Sequence, residues 1–277
     1  MENLPRSILR RIRITSPKKF NTLFAGQYRS AFKGMGLLFD SVREYQPGDD
    51  VKSVDWNVSA RMNHLYVKEY IEERELSIVL MMDVSGSMDF GSVQAKREAM
   101  LEAAAVILQC ASLNGDRVSV MLFSDRVEKF FSPKKGSRYV LKVLNDICEW
   151  RPLSKKTDIS AAAEMLGKLL KRRSIIFLFS DFMDETYLAA MKRLSRRHEI
   201  IPVHVADPME SKMKVFGLAG FTDLESGETF FADAMPSEGE KVSSNGFELL
   251  SIKTDEPASK TVYEFLRKRN RKKQYRW

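Results

Sequence analysis

Residues 75–83, ELSIVLMMD, decide the fold, because they join an unbroken apolar run to a carboxylate. Apolar runs of this length are typical of parallel strands that are buried on both faces. Three further runs of this kind follow at residues 116–125, 174–181 and 199–207. Helical patterns fill the intervals, at residues 93–113, 137–150, 159–170 and 185–197. The chain therefore alternates strand and helix.

This alternation predicts an α/β fold, a doubly wound and mostly parallel sheet of the Rossmann-like kind. Right-handed crossovers place helices on both faces of such a sheet. We expect an N-terminal extension packed on the main domain (1–76), the α/β domain itself (77–206) and a C-terminal part (207–277). In that last part, residues 220–233 predict a β-hairpin attached to the sheet, and residues 260–273 predict a basic helix.

Composition and cysteine content bound the class of protein. Hydrophobic residues make up 44% and charged residues 30%, which excludes a disordered chain. No apolar run approaches the roughly 20 residues that span a bilayer, and no secretory signal pattern follows the basic N-terminus. Cys110 and Cys148 lie in helical patterns, which predicts buried thiols and no disulfide framework. We expect a cytoplasmic protein.

The net charge of +8 is concentrated at the two ends. Residues 1–20 and 267–277 together hold 13 of the 45 basic residues and one of the 37 acidic residues, so the body between them is slightly acidic. Basic ends of this kind are either solvated tails or contacts for nucleic acid or an acidic membrane surface. A nucleic-acid-binding protein is therefore an alternative function.

Oxygen-bearing side chains occur where strands end or helices begin. Asp83, Ser85 and Ser87 follow the first apolar run, Thr157 stands at a helix start, and Asp181 follows the run at 174–181. Ligands of open α/β sheets bind at the carboxyl edge, where such loops meet. Two carboxylates with hydroxyls and waters favour Mg²⁺ (or Mn²⁺) over zinc. The alternative is that Asp83 and Thr157 merely cap helices.

A second polar group lies in residues 43–61. Asp49, Asp50 and Asp55 cluster there near arginines, which permits either acid–base chemistry or a set of turn caps and ion pairs. Trp56 is interpreted as a core anchor.

The segment before Asp83 resembles a bacterial family, the domain of unknown function 58. The residues that carry the resemblance are REYQPGDDVKSVDWNVSARMNHLYVKEYIEERELSIVLMMDVSGSM (43–88). The Asp83-x-Ser85-x-Ser87 string, with Thr157 and Asp181, looks like the metal-ion-dependent adhesion site of von Willebrand factor A domains. The resemblance covers the chain from about Gly26 to Phe231.

The resemblance implies a role for each of these residues. Ser85 and Ser87 would bind the metal through hydroxyls, Asp83 and Asp181 would act directly or through water, and Thr157 would join when a ligand is bound. The sixth position would take an acidic side chain of a protein partner. Family members are often encoded beside MoxR-type AAA+ ATPases, which implies an adaptor or co-chaperone for such an ATPase.

Other motifs argue against catalysis by this chain. Gly-x-Ser-x-Gly and a Walker loop are absent from the sequence, so a serine hydrolase or an ATPase is not expected. We expect a non-enzymatic binding module, with a metal-dependent phosphohydrolase as the weakest alternative. Lys155 and Lys156 precede Thr157 where relatives often carry glycines. These lysines either weaken metal binding by repulsion or point outward toward an acidic partner.

Overall fold

The structure is a computed structural model, and it describes residues 17–32, 37–72, 75–183, 187–209, 220–222, 229–231 and 246–274. The strands are β1 (Leu37–Glu44), β2 (Tyr66–Glu72), β3 (Ser77–Asp83), β4 (Arg117–Phe123), β5 (Val127–Lys134), β6 (Ile175–Ser180), β7 (Glu199–Ala206), β8 (Gly220–Thr222), β9 (Thr229–Phe231) and β10 (Leu250–Lys253). The helices are α1 (Pro17–Phe32), α2 (Trp56–Met62), α3 (Lys96–Leu113), α4 (Ser137–Glu149), α5 (Ile159–Leu169), α6 (Tyr187–Leu194) and α7 (Ala258–Gln274).

A six-stranded sheet forms the centre, with strand order β10-β7-β6-β3-β4-β5. Its neighbouring strands pair in parallel, except that β5 runs antiparallel to β4 at one edge. The order reverses direction between β3 and β6, which makes their carboxyl ends the switch point where α/β sheets bind ligands. The predicted α/β class, a doubly wound and mostly parallel sheet, is confirmed.

Helices cover both faces of the sheet. Along β3, Ile78, Leu80 and Met82 face the layer of α1, α3, α4 and α7, whereas Val79 and Met81 face α5 and α6. This burial on both faces explains why β3 is apolar without alternation. Helix α3 is buried on most sides, and its small alanines let neighbouring elements approach closely. It ends at Asn114-Gly115, where Gly115 takes a φ of 74°.

Helix α1 of the N-terminal extension packs on the α3 and α7 layer. The hydroxyl of Tyr28 donates to the buried Asp116 carboxylate at 3.0 Å. The ring of Phe24 lies 5.0 Å from that of Tyr263, and the ring of Phe32 lies 5.8 Å from that of Phe177.

The rest of the extension is an antiparallel pair, β1 and β2, with α2 between them. Asp49 pairs with Arg43 at 2.7 Å, Asp50 caps the short 3-10 turn Val51–Ser53, and Asp55 caps α2. The acidic cluster therefore consists of turn caps and ion pairs, as the second interpretation predicted. Trp56 is 63% exposed, so its interpretation as a core anchor is wrong. The seven-residue α2 buries Ser59 and leaves its first residue outside.

The C-terminal part differs from the prediction in its attachment. Strands β8 and β9 pair as a separate two-stranded sheet, because the open edge of β7 is taken by β10, a strand that the sequence pattern did not reveal. Helix α7 follows β10 and packs on it. Residues 1–16, with their basic side chains, and residues 223–228, between β8 and β9, lie outside the described residues.

Among the described residues, no helix is both long enough and apolar enough to cross a bilayer.

Candidate functional site

Three loops meet at the carboxyl edge of the sheet, beside the switch point. The hydroxyl of Ser180, at the end of β6, donates to Asp83 at the end of β3 over 2.9 Å. The backbone N–H of Gly86 donates to the carbonyl of Lys155 over 2.9 Å. Stretches that are far apart in sequence therefore converge on one edge, as the pattern of strand ends predicted.

The loop after β3 folds back on its own carboxylate. The backbone N–H of Ser85 donates to Asp83 Oδ1 at 2.9 Å, and the hydroxyls of Ser85 and Ser87 lie 3.2 Å apart. Asp83 and Ser85 are buried, whereas Ser87 is half-buried and opens toward solvent. A 3-10 turn, Gly86–Asp89, completes the loop.

The loop before α5 is anchored by Glu128 of β5. That carboxylate accepts from the indole N–H of Trp150 at 2.7 Å and from the backbone N–H of Leu153 at 3.0 Å. Asp158, and not Thr157, is the N-cap of α5, so the capping alternative for Thr157 is wrong. Thr157 is half-buried on this anchored loop, two residues after the Lys155 carbonyl that binds the loop after β3.

The loop after β6 contains a strained residue. Phe182 has a φ of 58°, in the left-handed region that a bulky side chain rarely adopts. Its backbone N–H donates to Ser180 Oγ at 3.1 Å, and its ring packs 5.1 Å from that of Tyr187. These contacts hold the turn that places Asp181 beside the loop after β3, and strain of this kind is often found at functional sites.

The sequence pattern did not indicate Lys96, the first residue of α3, whose side chain extends to Asp181. Its ammonium nitrogen lies 2.8 Å from Asp181 Oδ2, and the two side chains are only 2% and 4% exposed. The sequence does contain one signal for such a contact, which is a lysine in the first turn of a helix. A cation is unfavourable there because the helix dipole is positive at that end, so the position of the lysine suggests a nearby carboxylate. The partner, 85 residues away, could not be read from the sequence.

We call Asp83, Ser85, Ser87 and Asp181 the rim cluster. Burial, and to a lesser extent the charge of Asp181, raises the pKa of the Asp83 carboxyl to about 7. Burial acts in the same direction on Asp181, but the Lys96 ammonium outweighs it and holds the pKa of that carboxyl below its usual value. Asp181 is therefore the more readily ionised of the two carboxyls.

The donors of the rim cluster are of the kind that a hard cation takes in proteins. Within the part of the chain that the structure describes, no group of three His, Cys, Asp or Glu side chains is placed to hold a metal ion. A cation here would therefore depend on two carboxylates, hydroxyls and water, which is the donor set that suits Mg²⁺ or Mn²⁺. The adjacent Ser85 and Ser87 hydroxyls supply neutral oxygens beside the Asp83 carboxylate.

Exposed apolar side chains lie on loops at the same edge of the sheet as the rim cluster. These side chains, which we call the apolar ring, are between 37% and 72% exposed, and they are Val93, Leu153, Met183 and Met209. Two of their loops are joined because the backbone N–H of Ser92 donates to Asp207 at 2.8 Å. Lys155 and Lys156 are also exposed at this edge, so their side chains point outward.

The solved structures that this chain resembles include that of an aerotolerance-related membrane protein from Bacteroides fragilis. It is 18% identical, with a TM-score of 0.49, over 70% of this chain and 99% of that chain. The SpRpn10 VWA domain is 16% identical, with a TM-score of 0.46, over 68% of this chain and 93% of that chain. The strand order alone establishes the α/β class of the sheet.

Sequence relatives extend over nearly the whole chain. The uncharacterized protein Rv1480 of Mycobacterium tuberculosis is 28% identical over 282 residues, which cover 95% of this chain and 89% of that protein. The uncharacterized protein YeaD of Bacillus subtilis is 38% identical over 63 residues, or 23% of this chain and 16% of that protein. The family described as "Protein of unknown function DUF58" matches residues 41–239, and this chain therefore belongs to that family.

Proposed function

We propose that this chain is a non-enzymatic protein-binding module that receives an acidic side chain of its partner at the carboxyl edge of the sheet. One observation carries the proposal: loops from distant parts of the chain bring an oxygen-rich cluster together at this edge, and loops at the same edge carry exposed apolar side chains. In protein interfaces a few residues supply most of the binding energy, and the contacts around them exclude water.

The rim cluster and Thr157 would hold Mg²⁺ (or Mn²⁺). When bound, the cation supplies a Lewis-acidic position that attracts a carboxylate. Ser85 and Ser87 contribute neutral oxygens, so the site adds little negative charge that would oppose an acidic partner. Asp83 is fixed by Ser180 and by the Ser85 backbone, which keeps its two oxygens in one orientation.

The apolar ring would supply contact area around this polar centre. Val93, Leu153 and Met183 each expose more than half of their surface. Covering them removes apolar surface from water and keeps water away from the charged centre, which strengthens interactions there. The exposed Lys155 and Lys156 favour a partner whose surface is acidic.

The partner that we propose is a MoxR-type AAA+ ATPase, for which this chain would act as adaptor or co-chaperone. This part of the proposal depends on the family resemblance, because members are often encoded beside such ATPases. The acidic group of the partner would enter at Ser87 and Thr157, the half-buried side of the site.

The experiment is a calorimetric titration of the purified chain with the purified MoxR-type ATPase of the same organism, in Mg²⁺ and in excess chelator. We expect Ser85→Ala to weaken binding by about tenfold or more, since it removes a ligand without removing a charge. Ser195→Ala is the matched control, because that serine is exposed after α6 at the opposite edge of the sheet. Equal affinity in Mg²⁺ and in chelator would refute the metal-dependent part of the proposal.

A further inference from the structure

A positively charged side chain of the protein itself, Lys96, binds the rim cluster. The Lys96 ammonium donates to Asp181 Oδ2 at 2.8 Å, and almost none of either side chain reaches solvent. Asp181 is one of only two carboxylates in the rim cluster. One of its two oxygens is therefore already bound to a positive charge inside the protein.

The position of Lys96 is not explained by the helix in which it lies. It is the first residue of α3, where the helix dipole disfavours a cation. A buried ion pair is also weak evidence for a stabilising role, because removing two charges from water offsets much of their attraction. At the rim cluster, the charge of Lys96 offsets that of Asp181.

We propose that Lys96 is a resident cation of the rim cluster that competes with the divalent cation for Asp181 and thereby lowers the affinity of the site for Mg²⁺. The inference rests on the proposed metal-dependent function. A divalent cation at this site either displaces the ammonium from Asp181 or binds beside it against direct repulsion. The acidic group of a partner compensates that repulsion, so metal and partner should bind more tightly together than separately.

The test compares Mg²⁺ binding by calorimetry for the full chain and three variants. Lys96→Gln removes the charge and keeps a hydrogen-bond donor for Asp181, and we expect it to bind Mg²⁺ about tenfold or more tightly than the unaltered chain. Lys96→Arg keeps the charge and should bind no more tightly than the unaltered chain. Lys168→Gln is the matched control, because it breaks an exposed pair with Glu164 and should leave Mg²⁺ binding unchanged.

Thermal unfolding gives a second readout that does not need a partner. In chelator, Lys96→Gln should melt below the unaltered chain, because Asp181 is left buried without its counter-charge. Adding Mg²⁺ should raise the melting temperature of Lys96→Gln more than that of the unaltered chain, since a ligand that binds only the folded state stabilises it. Equal responses of the two proteins to Mg²⁺ would overturn the inference.

A measurement on the unaltered chain covers the case in which Lys96→Gln does not fold. Selective ¹⁵N-lysine NMR follows the Lys96 ammonium signal, assigned with Lys96→Arg, during addition of Mg²⁺. A shift of that signal supports competition, and an unchanged signal at saturating Mg²⁺ contradicts it.

The failure of this inference can be distinguished from the failure of the proposed function. Tighter Mg²⁺ binding by Lys96→Gln without any partner binding would support this inference and refute the proposed function. Mg²⁺-dependent partner binding with equal Mg²⁺ affinities of the two proteins would support the proposed function and refute this inference.

Discussion

At the scale of single residues, the rim cluster shows what a sequence can and cannot reveal. Asp83 and Asp181 were predictable as neighbours because each follows an apolar strand, and parallel strands end at one edge. The ion pair of Lys96 was not predictable, because Asp181 comes close to the start of α3 only when β6 pairs with β3 in the folded sheet. The prediction for Trp56 was wrong for a related reason. An aromatic side chain predicts burial, but Trp56 is the first residue of a seven-residue helix that buries Ser59.

The two cysteines permit a prediction at this scale. Burial raises the pKa of the Cys110 thiol to about 12, and burial also raises that of the half-buried Cys148 to about 11. A raised thiol pKa means less of the reactive thiolate at pH 8. We therefore expect iodoacetamide to label Cys110 far more slowly in the folded chain than in urea, with Cys148 intermediate, as measured by mass spectrometry. Equal labelling rates of Cys110 in the folded and unfolded chain would show that Cys110 is not buried in α3.

At the scale of elements, the strands and helices of the α/β domain, the hairpin within residues 220–233 and the C-terminal helix were largely predictable, whereas β1 and β10 were not. The runs at 75–83 and 174–181 carry strong signals because strands buried on both faces must be apolar. Strand β10 has four residues whose burial alternates, so its pattern is too short to be distinguished from a loop. Strand β1 was missed because apolar and polar residues do not alternate along it, and a bulge between Phe39 and Ser41 shifts its register with β2.

The anchored loop before α5 gives the prediction that belongs to this scale. Glu128→Ala removes the acceptor for Trp150 and Leu153, so we expect faster amide hydrogen exchange over residues 153–157 and a loss of about 1–2 kcal/mol in the free energy of unfolding. Partner binding should weaken with it, because Thr157 lies on this loop. The matched control is Glu164→Ala, which breaks an exposed helical pair and should leave the stability nearly unchanged. Unchanged exchange in Glu128→Ala would mean that the loop is held by other contacts.

At the scale of the whole molecule, the basic C-terminal segment is partly a structural element. Arg269 is buried, forms ion pairs with Glu199 and Glu248, donates to the carbonyl of Ala31 and stacks 4.7 Å from the ring of Phe32. One side chain thus joins α7, β7 and α1. The interpretation of this end as a solvated tail does not hold for Arg269, and the nucleic-acid alternative loses one of its basic residues.

Arg269→Ala should therefore lower the free energy of unfolding by about 2 kcal/mol, measured by urea denaturation, because it breaks two partly buried ion pairs and a cation–π contact together. Lys272→Ala is the control: it pairs with the same Glu248 at 3.5 Å, but it is 62% exposed and should change stability by less than about 0.5 kcal/mol. Similar losses in both variants would show that general charge near Glu248, and not the Arg269 contacts, accounts for the effect.

The antiparallel strand β5 has a consequence for how copies of this protein meet. An open strand invites another chain to extend the sheet, which leads to aggregation. Here that strand carries Pro133, which lacks a backbone donor, together with Lys129 and Lys134, whose charges repel a second copy. Sheet extension between copies is therefore disfavoured at this edge, which leaves the loops at the carboxyl ends of the strands as the place for a different protein to bind.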